Sequence, residues 1–218
     1  MESLVLLGTA VSIALIHTVI GVDHYVPFIA LSRANSWSLK KTICVVLLCG
    51  TGHVLGSVIL GFAGITLAAG VTSLIDIEDK RGTIAAYALI AFGLIYAVYG
   101  ISAAVRNKTH THTGHDEAEH HLKKSGSVFW GLFIFFVLGP CEPLIPLLMY
   151  PAANMDFFTL VLVTVSFSVC TIAVMLIMTL LGLKGFELIK LSRLQRYAHA
   201  FAGSAILLCG VSVLALPI

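Results

Sequence analysis

Residues 15–32 read LIHTVIGVDHYVPFIALS, with His17, Asp23 and His24 set inside an otherwise apolar run. A charged group near the centre of a bilayer costs roughly 2.5–3.5 kcal/mol on insertion scales. An acid and two imidazoles in a stretch long enough to cross a membrane therefore need compensation, and a bound cation is the simplest form of it.

Composition supports the membrane setting. Of 218 residues, 58% are hydrophobic and 11% charged, and the mean hydropathy is +1.00. No soluble core could hide that much apolar surface, so the chain reads as an all-α integral membrane protein. A net charge of +2, without a basic stripe, excludes nucleic acid as a partner; the lipid bilayer is the expected one. The N-terminus lacks the basic region and cleavage site of a secretory signal, so it reads as the first mature helix. Cys44, Cys49, Cys141, Cys170 and Cys209 show no zinc-finger spacing and read as buried single thiols.

Apolar runs of about 20 residues or more cover approximately 4–31, 42–70, 83–105, 128–150, 158–183 and 198–216. Six transmembrane helices follow, since backbone in lipid must satisfy its own hydrogen bonds. The second run is Gly-rich towards Gly70 and is expected to end in a bent or re-entrant piece. Eleven of the thirteen basic residues fall in the loops after spans one, three and five, leaving Lys80 and Arg81 opposite. The positive-inside rule then makes those loops cytoplasmic and puts both termini outside a cell membrane.

Three spans precede the long loop and three follow it, so the halves run in opposite directions, as in a 3+3 inverted repeat. The chain is one membrane domain, 1–218, with repeat 1 at about 1–105, a loop at about 106–127 and repeat 2 at about 128–218. At an offset of about 118 residues Gly21-Val22-Asp23-His24 falls on Gly139-Pro140-Cys141-Glu142, and His53 on Thr171. Each intramembrane carboxylate lies four residues before a proline, Asp23 before Pro27 and Glu142 before Pro146. A proline cannot donate to the carbonyl four residues back, so both helices are expected to break there, with Pro140 and Pro143 loosening the second.

The candidate site is drawn from His17, Asp23, His24 and His53 as metal ligands, with Cys141 and Glu142 in support or in proton coupling. Imidazole, carboxylate and thiolate suit nickel, cobalt, zinc or ferrous iron better than calcium or magnesium. Each residue also has a structural reading: a backbone-bonded imidazole at His17, an ion pair at Asp23 and His24, helix packing at His53 and Cys141. Glu142 also reads as a proton carrier without metal contact. His199, beside Tyr197 and Arg196, reads as interfacial. The loop holds His110, His112, His115, His120 and His121 among acidic residues, a flexible composition suited either to auxiliary metal capture or to a solvated linker.

HTVIGVDH followed by GTGH resembles the signature helices of nickel/cobalt transporters and urease-accessory membrane proteins. GPCEPLIPLLMYP resembles a motif of the broader group that includes cytochrome c biogenesis thiol-disulfide membrane proteins and LysE-type exporters. The resemblance implies that His17, Asp23, His24 and His53 match metal-binding positions, with the PCEP segment lining the cavity. In the family signature four residues separate the first His from the Asp-His pair. Here five separate His17 from Asp23, which turns His17 by about 100° in an ideal helix. The family's classical importers have eight helices where this chain has six spans.

The expected function is a proton-coupled secondary transporter of a divalent transition metal, not an enzyme, with export favoured over uptake. It would need no permanent cofactor, and a homo-oligomer is compatible with the sequence. No GxxxxGK[ST] occurs, so the chain brings no ATPase. Two alternatives stand beside it. Export of a small organic or sulfur-containing anion lacks an intramembrane Arg or Lys. Thiol-disulfide electron transfer through Cys141 lacks a first-half cysteine, because Asp23 occupies that place.

Overall fold

The computed structural model describes residues 2–67, 70–106, 117–139, 141, 143–188 and 197–215. Among them every regular element is helical: α1 Glu2–Ile20, α2 Val26–Ala34, α3 Leu39–Thr66, α4 Val71–Arg106, α5 Glu117–Leu138, α6 Leu144–Ala153, α7 Phe157–Leu188 and α8 Ala198–Ala215. Five stretches are long and apolar enough to cross a membrane: Ser3–Ile20, Leu39–Thr66, Thr72–Val105, Phe157–Phe186 and Ala198–Ala215. This is the make-up of a multi-pass membrane protein. Val128–Leu138 and Leu144–Ala153 are apolar but shorter.

The first apolar run is two helices, α1 and α2, joined through Gly21 and a single 3-10 turn at Val22–His24. The fourth is likewise divided into α5 and α6. Pro27 stands in the first turn of α2, Pro143 caps the start of α6 and Pro146 follows in its first turn. First-turn amides have no helical acceptor, so these prolines begin half-helices at no hydrogen-bond cost. Pro140 lies outside the described residues.

Three boundaries differ from the sequence expectation. The second run is one unbroken helix to Thr66, without a re-entrant piece among the described residues. Helix α4 starts at Val71, well before residue 83, because Asp76 to Arg81 continue it rather than forming a loop. Helix α5 starts at Glu117, inside the expected flexible loop, and carries the backbone of His120 and His121. His110, His112 and His115 lie outside the described residues. The cysteines form no disulfide, but only Cys49, Cys141 and Cys209 are buried, while Cys44 is exposed and Cys170 half-buried.

Two apolar clusters hold the bundle. One gathers Phe28 and Leu31 of α2 with Val46, Leu89, Phe136, Met175 and Ile206. The other gathers Ala10 and Ala14 of α1 with Leu144 and Leu148 of α6 and Leu160, Val163 and Phe167 of α7. The breaks of both divided helices fall between the clusters, and so does His53, between Cys49 and Val58 of α3.

The turns that end α2 and α6 share their contacts. Asn35 and Asn154 each end a half-helix, and each side-chain amide donates to the carbonyl four residues back, Leu31 O at 2.9 Å and Tyr150 O at 3.1 Å. The next residues, Ser36 and Met155, both take positive φ, 50° and 54°. Two residues past the asparagines, Trp37 N–H donates to Ser32 O and Asp156 N–H to Pro151 O. Asp156 then accepts from the Thr159 amide at 3.0 Å as a cap for α7. Hydrogen bonds from Thr159 hold this exposed carboxyl below its ordinary range, so the cap is present above that range and is lost as pH falls through the lowered value.

Helices α4 and α8 meet backbone to backbone through glycines. A Cβ at Gly93 would strike Leu207 and Gly203, and one at Gly203 would strike Ala97 and Gly93; Gly100 meets Ala200 and Gly210 meets Ile90. Small residues give membrane helices close van der Waals packing. Gly203→Val should therefore lower stability by about 1–3 kcal/mol, as overpacking does, read as a lowered denaturation midpoint in detergent. An unchanged midpoint would contradict this packing.

Candidate metal centre

The site is built where α1 stops. Gly21 N–H closes the last turn on His17 O at 2.9 Å, and His24 N–H then bonds Gly21 O at 3.0 Å. This reversal brings His24 back over the end of α1. The His17 and His24 ring centroids lie 4.9 Å apart, edge to face. The one-residue departure of His17 from the family spacing is thus taken up at Gly21, where α1 stops.

A Cβ at Gly21 would sit 2.5 Å from His24 Nδ1 and 3.0 Å from His17 O, so any side chain here would displace the His24 ring. Gly21→Ala should push the His24 ring out and weaken metal binding by about 10–100-fold, the range for lost positioning contacts. Isothermal titration with cobalt would measure it; unchanged affinity would contradict the geometry.

His53 comes in from the middle of α3. Its ring lies 5.0 Å from that of His24, again edge to face. Its Nδ1 donates to Phe136 O at 3.3 Å, one of the carbonyls left open where α5 ends. Gly139 keeps this approach clear, since a Cβ there would lie 3.2 Å from His53 Nδ1. His24 Nδ1 faces two acceptors, Gly21 O at 3.1 Å and Asp23 Oδ1 at 3.3 Å, and so must carry the hydrogen. In the neutral rings both His24 and His53 then present a bare Nε2. The Nε2 atoms of His17, His24 and His53 are all buried without a hydrogen-bond partner among the described residues.

Cys141 completes the group from the break between α5 and α6. One ring nitrogen each of His17 and His53 and the Cys141 sulfur all lie within 4.8 Å of one another. A tetrahedral ion bound at about 2.0–2.3 Å from each would draw these donors together by roughly an ångström. Cys141 N–H donates to Ser57 Oγ at 3.1 Å, which fixes the break against α3. Asp23 is not in the converging group; its carboxylate holds the His24 ring. Pro27 is buried at the start of α2, Pro146 is exposed, and Glu142 lies outside the described residues.

Sequence reasoning missed several neighbours. Ser57 lies four residues after His53, which puts it on the same helix face. Glu78 is fully buried in α4 and bonded to Arg81 at 2.7 Å, and Arg81 also donates to Val137 O at 3.0 Å, near the end of α5. An arginine therefore enters the helix bundle, in an ion pair. Its signal was the spacing Glu78-x-x-Arg81, two residues that share a helix face. His199 lies in the first turn of α8, its Nδ1 2.9 Å from Tyr96 OH.

Comparison of the chain with family models, curated proteins and solved structures finds no match.

Proposed function

We propose that this protein is a secondary transporter of a divalent transition-metal cation, with nickel or cobalt as preferred cargo, zinc or iron as lesser ones, and export favoured over uptake. One observation carries the reading: donor atoms of His17 and His53 converge with the Cys141 sulfur where two broken helices meet, and the Nε2 atoms of His17, His24 and His53 are buried with no hydrogen-bond partner among the described residues. Unsatisfied polar atoms are costly in an apolar interior, and a soft or borderline cation satisfies them together. Nitrogen and sulfur donors suit this class and disfavour calcium and magnesium.

The transport architecture is six crossings, with α1–α2 and α5–α6 each serving as one, in a 3+3 inverted repeat. The paired asparagine turns at Asn35 and Asn154 support it, as do the reciprocal contacts of Gly93 and Gly203. Such repeats place cargo at the interface of the halves, among unwound segments, and expose it alternately as the halves rock. On this reading the basic loops face the cytoplasm of a cell membrane, the histidine loop gathers metal there, and both termini lie outside. Neither a resident cofactor nor a catalytic step is part of it. Anion export is disfavoured by the pairing of Arg81 with Glu78, and thiol exchange by Asp23 standing where a second cysteine would be needed.

Metal ligation needs bare imidazole and thiolate lone pairs, so binding releases protons. Antiport against protons follows naturally. Affinity for cobalt should fall as pH falls, because protons compete for the same lone pairs. Proteoliposomes carrying a metal-sensitive dye test the function directly. Saturable nickel or cobalt flux that follows a proton gradient is the expected result; absence of flux for nickel, cobalt, zinc and iron would remove the reading.

A further inference from the structure

Away from the histidines, α2, α3, α7 and α8 line an open cavity of about 1280 Å³. It lies at one end of the bundle, where α2 and α7 finish and α3 and α8 begin. That volume exceeds the roughly 300–1,000 Å³ of pockets built for compact small molecules. Leu180, Leu183, Phe201 and Ala205 give it apolar walls, while Arg33 and Lys184 supply positive charge. The Arg33 guanidinium donates to the Leu183 carbonyl, which brings it against the residue just before Lys184. The Trp37 ring also lines the cavity, while its indole N–H is buried out of reach of it. Lys41 Nζ lies 5.0 Å over the same indole ring.

Two cations beside long apolar walls describe the complement of an anion that carries hydrocarbon. A divalent metal ion would be repelled by the same charges. We propose that this cavity holds an anionic phospholipid, its phosphate received by Arg33 and Lys184 and an acyl chain lying along α7 and α8. Basic pockets between membrane helices recognise such headgroups, each cation contributing attraction close to the lipid surface. This site is separate from the metal centre and does not depend on the transport reading.

The test uses the full chain with Trp130→Phe, leaving Trp37 as the reporter, in phosphatidylcholine vesicles doped with brominated lipid. Brominated phosphatidylglycerol should quench Trp37 with an association constant about 25-fold above that of brominated phosphatidylcholine, as expected for two cations. Arg33→Gln with Lys184→Gln should bring the two lipids to parity. Should the double variant fail to assemble, Lys184→Gln alone, at an exposed position, should lower the preference about fivefold. Equal quenching by both lipids in the parent overturns the proposal, and so does a preference that the variants leave intact. Abolition of the preference by inorganic phosphate would assign the pocket to a free anion and also overturn it.

Discussion

His53→Ala is expected to abolish the proposed metal transport and to lower metal affinity by more than about 100-fold, beyond the usual loss for an outer contact. His53 is the central member of the group: its ring meets His24, its donor atom lies with those of His17 and Cys141, and it bridges α3 to the end of α5 through Phe136 O. Alanine removes the ligand and leaves that carbonyl to water or a neighbour. Helix α3 keeps its Ser38 cap and its lipid-facing residues, so the protein should still assemble. The checks are cobalt titration and flux on protein whose monodispersity matches the parent. Parent-like flux in His53→Ala would mean that the imidazole is a packing group.

Arg81→Met should cost about 3–5 kcal/mol of stability, the loss expected when one partner of a buried ion pair is removed. Glu78 is fully buried, and without Arg81 its charge has no counterion within bonding distance among the described contacts. The same substitution frees Val137 O, which Arg81 bonds at the end of α5. Replacing both residues, Glu78→Leu with Arg81→Met, should cost much less than Arg81→Met alone, because an apolar pair leaves no stranded charge. Denaturation of the three variants in detergent reads this comparison. A single variant within about 1 kcal/mol of the parent would show that water reaches the pair.

Much of this arrangement was legible in the sequence because lipid imposes a strong rule. Helices must be long and apolar, and only Gly and Pro with paired polar residues interrupt them. HTVIGVDHYVP and GPCEPLIP therefore marked both breaks. What the sequence hid was mostly tertiary. Asp76 to Arg81 look like a polar loop until Val137, far along the chain, supplies the acceptor that lets Arg81 and Glu78 enter the bundle. The start of α5 was hidden by too much weight on its histidines, although Glu117, Ala118, Glu119 and Leu122 are strong helix formers. His17 illustrates the limit of spacing arguments. Helical geometry turned it away from Asp23 and His24, and a glycine of restricted surroundings turned it back. Asp23, a ligand by sequence, became the group that orients His24.

The central claim is that imidazole and thiolate share one ion between the broken helices. X-ray absorption of the cobalt-loaded protein addresses it most directly. Nitrogen scatterers with one sulfur at about 2.3 Å are the predicted shell, the sulfur disappearing in Cys141→Ser. An all-oxygen shell, or a spectrum unchanged in both Cys141→Ser and His53→Ala, would contradict the account.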